Sequence, residues 1–195
     1  MDIVQVGCND CQDHVKEFVD ANHQDIKQLI LIDPGDKLCE CNSVYDKYDF
    51  TLKKYNKAVT ADETVDTITV YDSKARENGG FLMSVNKQHL IDHQHPEDTV
   101  FSLDVPAVHL HQIFEENNLT KIDRLYVDAE GYDADIIQSL DFDKYQIDFI
   151  RFELLHIGGT FSNGKSKKAQ DFIRYLYTKG YTRMEQSGYD VEVKR

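Results

Sequence analysis

The sequence predicts an α/β fold, a doubly wound and mostly parallel sheet of seven strands closed by an antiparallel hairpin. Three observations predict it. An apolar run at residues 125–127 ends in Asp128-Ala129-Glu130-Gly131, after which the apolar spacing changes from strand-like to helix-like through Ile136, Ile137 and Leu140. The chain opens on a strand, helix, strand pattern, as a βαβ unit does. Its last residues alternate around Ser187-Gly188 like a two-stranded hairpin.

In chain order, residues 3–6 form a short apolar strand that runs into Gly7-Cys8-Asn9-Asp10-Cys11, and Val15, Phe18 and Val19 then recur at helical spacing. Residues 29–32 are a continuous apolar run stopped by Asp33-Pro34-Gly35, the pattern of a buried parallel strand with a breaker behind it. Residues 57–60 read as the third strand and 67–71 as another short β-rich run. The polar stretch from Ser73 to Asp98, with Gly79-Gly80, reads as a long loop over the active face, a candidate lid. Leu110, Ile113, Phe114 and Leu119 mark a helix leading into a strand at 122–127, and residues 148–156 form the next buried strand. Phe172, Ile173, Leu176 and Tyr177 mark the helix after it, and residues 181–185 and 189–193 the hairpin. No repeat, linker or low-complexity segment interrupts this order.

At 195 residues the chain suits one domain over 1–195. No apolar run approaches the roughly 20 residues that span a bilayer. The N-terminus has no basic region ahead of an apolar stretch, so the expectation is a cytoplasmic protein without a membrane partner. A net charge of −13, from 35 acidic and 22 basic residues, speaks against a nucleic-acid substrate, whose phosphates would need neutralising. The single basic cluster, Lys165, Lys167 and Lys168, reads as a solvated loop.

The run from Lys121 to Leu140, with Asp123, Leu125, Asp128, Glu130, Gly131 and Asp133 at fixed spacings, resembles the signature of the FkbM-type methyltransferases. Tyr126 stands where that family usually has lysine. The resemblance implies the class I methyltransferase-like fold and S-adenosylmethionine as cofactor. It further implies O-methylation of a hydroxyl on a small-molecule or glycan acceptor. It places Gly7 and Asn9 in the turn around the methionine part of the cofactor, although Gln5 replaces an acidic residue and Cys11 a glycine there. Cysteine restricts the positive φ and close approach that glycine permits. Asp33 closes the second strand where a carboxylate accepts hydrogen bonds from both ribose hydroxyls, and an Asp-Pro turn is its plainer reading. Ala61 and Asp62 correspond to positions near the adenine. By the same resemblance Asp128 would face the methionine end of the cofactor or the substrate, and Glu130 would orient the acceptor hydroxyl or help hold the loop, with structural carboxylates that cap a helix at a strand end as the plainer reading of both. His156, at the end of the fifth strand, is the natural general base because its ordinary pKa lies near neutrality. It also reads as a structural histidine beside Gly158-Gly159.

Other readings stay open at this point. Cys8 and Cys11 between a strand and a helix resemble a thioredoxin- or glutaredoxin-like redox pair, with Val105-Pro106 as its proline turn. Against this, Pro106 lies far down the chain and the signature would go unexplained. Cys8, Cys11, Cys39 and Cys41 offer four thiolates for zinc, but free cysteines are the expected state in a reducing cytosol. His89 and His93 share a face if their segment is helical, yet no second ligand group is evident near them or His95, so no metal is expected. His109 and His111 flank Leu110; the family usually has aspartate at the latter position. A non-catalytic, ligand- or partner-binding domain of the same fold is the remaining alternative, given Gln5 and Cys11.

Overall fold

A computed structural model describes residues 1–75 and 82–195, with Cys39 described by its backbone alone. The opening unit is β1 (Asp2–Val6), α1 (His14–Asn22) and β2 (Gln28–Ile32). Asp13 starts α1 by accepting the Val15 and Lys16 amides on its carboxylate, which satisfies two donors that the first turn leaves free. Next come α2 (Cys41–Tyr45), β3 (Thr51–Tyr55), β4 (Ala58–Thr60), β5 (Thr67–Ser73), α3 (Lys87–Asp92), β6 (Val100–His109) and α4 (Leu110–Glu116). The remainder is β7 (Lys121–Ile122), β8 (Arg124–Val127), α5 (Asp133–Gln138), β9 (Gln146–Ile147), β10 (Phe149–Glu153), α6 (Lys167–Thr178), β11 (Arg183–Ser187) and β12 (Asp190–Lys194).

The large sheet runs β11-β12-β10-β8-β1-β2-β3. Its five strands from β10 to β3 are mutually parallel, and β12 and β11 close it as an antiparallel hairpin on β10. Alternate strand residues point to opposite faces. Val4, Val6, Ile30, Ile32, Leu125, Val127, Ile150 and Phe152 pack with α4, α5 and α6. Ile3, Leu29, Leu31, Tyr126 and Phe149 pack with α1 and α2. Both faces are covered, which is why the central strands are apolar almost without interruption. On α6 the buried residues Ala169, Phe172 and Leu176 fall on one stripe, and Ser166 caps its start by accepting the Ala169 amide. Burial of Phe172 and Leu176 stabilises by about 1.5 to 3 kcal/mol each. No helix among the described residues is long and apolar enough to cross a membrane.

Several elements depart from the sequence expectation, among them β6, a strand where only a Val105-Pro106 turn was expected. The edge strand of the large sheet is β3, not residues 57–60; β3 reads Thr-Leu-Lys-Lys-Tyr and is half exposed, so it lacks the apolar run that flags a buried strand. Residues 58–60 instead pair in parallel with the end of β6, in a small sheet ordered β4-β6-β5. Part of the expected loop from Ser73 to Asp98 is helical: Asn86 caps α3 by accepting the Gln88 amide, and α3 buries His89 and Leu90. The Gly79-Gly80 part of that expectation lies outside the described residues. The terminal hairpin forms around Gly188, its strands one or two residues later than the alternation suggested.

Candidate active site

The carboxyl ends of β1, β2 and β8 open onto a cavity of about 210 Å³, walled on the far side by Val70 and Asp72 of β5 and by residues 83–85. Open α/β sheets place ligands at this end of their strands. Gly7 has a φ of +72°, and a Cβ there would lie 1.8 Å from the Asp128 carbonyl oxygen, so glycine alone lets the loop after β1 lie against the loop after β8. Two backbone bonds register these loops: the Gly7 amide donates to Ile32 and the Asp128 amide to Val6, at 2.9 and 3.0 Å.

The Asp33 side chain ties the first loop to the second. The Cys8 and Asn9 amides donate to Asp33 Oδ2 at 3.0 and 2.9 Å, and the Gly35 amide donates to Oδ1 at 2.7 Å. A carboxylate has about four acceptor positions, so these bonds leave room for one more donor and not for two. Gln5, in the place of an acid, donates to Asp13 Oδ2 at 2.5 Å, which brings a carboxylate to the floor of the same loop.

Cys11 and Cys41 are not free thiols. Cys11 takes a φ of +60°, the region that glycine enters without cost, and its amide donates to Cys8 at 2.7 Å. Cys11 is disulfide-bonded to Cys41, which fastens the turn to α2. The Cys8–Cys11 redox pair is therefore overturned, because Cys11 has a different partner. Cys8 is buried, and burial followed by the charges of Asp33 and Asp13 pushes its thiol far above the ordinary range, the opposite of an activated nucleophile. Pro106 lies inside β6 opposite Thr67, not in a turn beside Cys8. With Cys11 and Cys41 bonded to each other, the four-thiolate zinc site loses two ligands.

Beyond β8 the chain does not continue as a strand. Glu130 has a φ of +52° and Gly131 one of +92°, so Asp128 and Glu130 reach the cavity through a tight turn and not, as expected, by strand alternation. A Cβ at Gly131 would lie 2.8 Å from the His156 carbonyl oxygen, which shows how closely this turn meets the loop after β10. Asp133, 0% exposed, braces the two: it accepts the Ala129 and Gly131 amides on Oδ2 and the Glu153 amide on Oδ1, at 3.2 to 3.3 Å. Burial raises its carboxyl to about 7. Glu153 is raised to about 8 by burial, then by the charges of Asp128, Glu130 and Asp190. The Asp128 side chain opens to the cleft, yet the surrounding protein and the charges of Glu130 and Asp133 hold its carboxyl well above the usual range.

Gly7, Asn9, Asp33, Asp128 and Glu130 thus line one cavity, and Ala61, Asp62 and His156 do not. The Ala61 amide donates to the Tyr132 hydroxyl, which places it behind a wall residue. Asp62 is exposed and accepts the Thr64 amide and hydroxyl within its own loop. His156 sits one layer away from the cavity, where His89 and His93 meet it edge-on with ring centres 4.4 and 4.9 Å distant. Burial and those neighbouring rings lower it to about 4, so it is neutral near pH 7. His89, not His156, touches the cavity lining, its Nε2 donating to Glu130 Oε2 at 2.9 Å. The shared helical face of His89 and His93 was the signal for this group; the partners from the distant loops were not.

The family model of the Methyltransferase FkbM domain matches residues 3–189. The chain belongs to the FkbM methyltransferase family. No curated protein matches it. Membership of the FkbM family points to methyltransferase activity, and in this FkbM domain the signature residues 128–133 form the turn that carries Asp128 and Glu130 into the cavity while Asp133 braces it from behind.

Proposed function

We propose that this FkbM-family chain is an S-adenosylmethionine-dependent O-methyltransferase acting on a hydroxyl of a small molecule or glycan, on a doubly wound, Rossmann-like sheet of class I methyltransferase type. The observation that carries the reading is the gathering of Gly7, Asn9, Asp33, Asp128 and Glu130 around one cavity at the carboxyl ends of parallel strands. The residues fit the group. S-adenosylmethionine carries a sulfonium, an ammonium and a carboxylate, and the wall holds Asp33, Asp36, Asp72, Asp128 and Glu130 together with Lys37 and Lys57, acidic and basic side chains for a ligand that bears both charges. Asp33 would accept one ribose hydroxyl at its remaining acceptor position. Gly7 and Asn9 would border the methionine part, and the apolar Ala58 and Val59, in place of Ala61 and Asp62, the adenine.

The cofactor supplies an electrophilic methyl group, and the protein's work is placement and proton removal. Glu130 would accept the proton of the acceptor hydroxyl as the new O–CH3 bond forms and the S–CH3 bond breaks, leaving a neutral thioether. His89, donating to the same carboxylate, would hold Glu130 toward the cavity as a positioning residue. Calorimetric titration with S-adenosylhomocysteine tests the reading: saturable one-site binding is expected, and the absence of binding would overturn it. Binding without methyl transfer to any hydroxyl acceptor would favour the non-catalytic alternative.

A further inference from the structure

We propose that His89, His93 and His156, completed by Glu130, form a binding site for a divalent first-row transition-metal ion such as Zn²⁺, beside the cavity. His89 lies on α3, His93 caps its end and His156 comes from the loop after β10, yet a ligating nitrogen from each lies within 4.8 Å of the others. Oxygens of Glu130 and Glu153 and a nitrogen of His156 meet the same limit. Such spacing lets a single ion touch the three imidazoles, and Glu130 adjoins them through its 2.9 Å contact with His89 and its place beside His156; three imidazoles with a carboxylate suit zinc and its neighbours better than magnesium or calcium, which favour all-oxygen shells.

The outer contacts favour ligation. His93 Nδ1 lies 2.9 Å from the His89 carbonyl oxygen. A carbonyl only accepts, so Nδ1 carries the proton and the neutral ring turns Nε2 outward as a lone pair. His89 Nδ1 faces the Thr160 hydroxyl at 3.5 Å, a partner for the N–H it would hold once Nε2 binds metal. Phe161 packs its ring on His93 and His156, shielding the group. Proton balance is explicit. With one proton on each ring, His89 points its N–H at Nε2 toward Glu130, and His156, whose Nδ1 accepts the Phe161 amide at 3.3 Å, points its own at Nε2 toward Glu153. Ion binding moves the His156 proton to Nδ1, opening the Phe161 contact, and the His89 proton to Nδ1, toward Thr160. Because Glu130 lines the cavity, an ion here would sit one side chain from a bound acceptor and could polarise its hydroxyl. That last consequence rests on the methyltransferase reading; the ion site does not.

The test is calorimetric titration of chelator-treated full-length protein with Zn²⁺, with Co²⁺ absorption as a second readout of ligand type. One equivalent should bind, with affinity falling at least tenfold in His93→Ala, whose side chain is the most open of the three, and in Glu130→Gln, which preserves shape. His95→Ala and Cys8→Ser should bind as the wild type does. No stoichiometric binding, unchanged affinity in His93→Ala, or loss of binding on Cys8→Ser would each overturn the site. S-adenosylhomocysteine titrated into the metal-free protein reports separately on donor binding, so the two readings fail independently.

Discussion

Asp33→Ala removes one carboxylate that does two things, and its effects divide accordingly. The side chain now receives three backbone amides. Without it the buried Cys8 N–H has no acceptor, at a cost of about 1 to 3 kcal/mol for an orphaned buried donor; the Asn9 and Gly35 amides, being only part-buried, reach cleft water at smaller cost. Urea unfolding should therefore show a lower midpoint with an unchanged slope. On the proposed reading of donor binding, the mutation deletes one charge-assisted bond to ribose and loosens the loop carrying Gly7 and Asn9. Together these should weaken S-adenosylhomocysteine by about 1 to 3 kcal/mol, or roughly 5- to 150-fold in Kd. The assay is calorimetry on variant protein whose circular dichroism matches the wild type at the working temperature. An unchanged Kd in folded protein would refute both the ribose assignment and the idea that Asp33 shapes the loop for the ligand.

Four further outcomes are expected. Asp62→Ala should leave that Kd within about twofold, since the side chain serves only its own loop and loses exposed hydrogen bonds of small worth; a large loss measured by the same titration would place adenine beyond the present cavity wall. Glu130→Gln should lower kcat by more than it weakens donor binding, seen by comparing turnover with calorimetry, because the base acts in the transition state. Cys11→Ser with Cys41→Ser should cost about 3 to 4 kcal/mol in urea unfolding, from the loop-closure entropy of a sequence separation of 30, and should weaken donor binding by freeing the turn at Cys11; equal stability would deny the disulfide its anchoring role. Asp133, raised in the folded state to about 7 from an ordinary 3.8, contributes stability that is full below about pH 4 and lost as pH rises through 7; Asp133→Asn should flatten that part of the stability profile in pH-dependent urea unfolding.

What was legible in the sequence follows from how strongly each element announces itself. β2 is buried along its whole length, so its nearly continuous apolar run could mean little else; β8 and β10 are buried at Leu125, Tyr126, Val127, Phe149, Ile150 and Phe152, apolar enough to read as strands despite Arg124, Arg151 and Glu153. β3 was missed because an edge strand that shows Lys53 and Lys54 to solvent reads like a loop. Asp33, Asp128 and Glu130 were legible because a carboxylate just beyond an apolar run sits at the strand's carboxyl end whatever the rest of the fold does. His156 was assigned to the cavity on the same logic. The closely packed Gly131 turn, however, lies between His156 and the cleft, and a contact between two loops leaves no periodic trace. The pairing of Cys11 with Cys41 was illegible for a similar reason, since connectivity among four cysteines is set by three-dimensional approach and not by spacing.

Several departures from regular backbone fall where the chemistry is proposed, while Asn118 and Asn163 hold positive φ elsewhere. Asn9, Cys11 and Glu130 hold positive φ in the loops around the cavity, and Phe161 does so beside the histidine group. Each such residue costs on the order of 1 to 3 kcal/mol and persists only where its surroundings over-determine it. Here the determinants can be named: Asp33 holds the amides at 8 and 9, the disulfide holds Cys11, and Asp133 holds the amides on either side of Glu130 while reaching across to Glu153. Two buried or nearly buried carboxylates thus act as braces beneath the carboxylates that face the cavity. The arrangement explains why the acids of the signature cannot share one role. Asp133 is fully enclosed and spends its acceptor capacity on backbone, whereas Glu130 keeps one oxygen on His89 and opens to the cavity, the combination that proton removal from a bound hydroxyl requires.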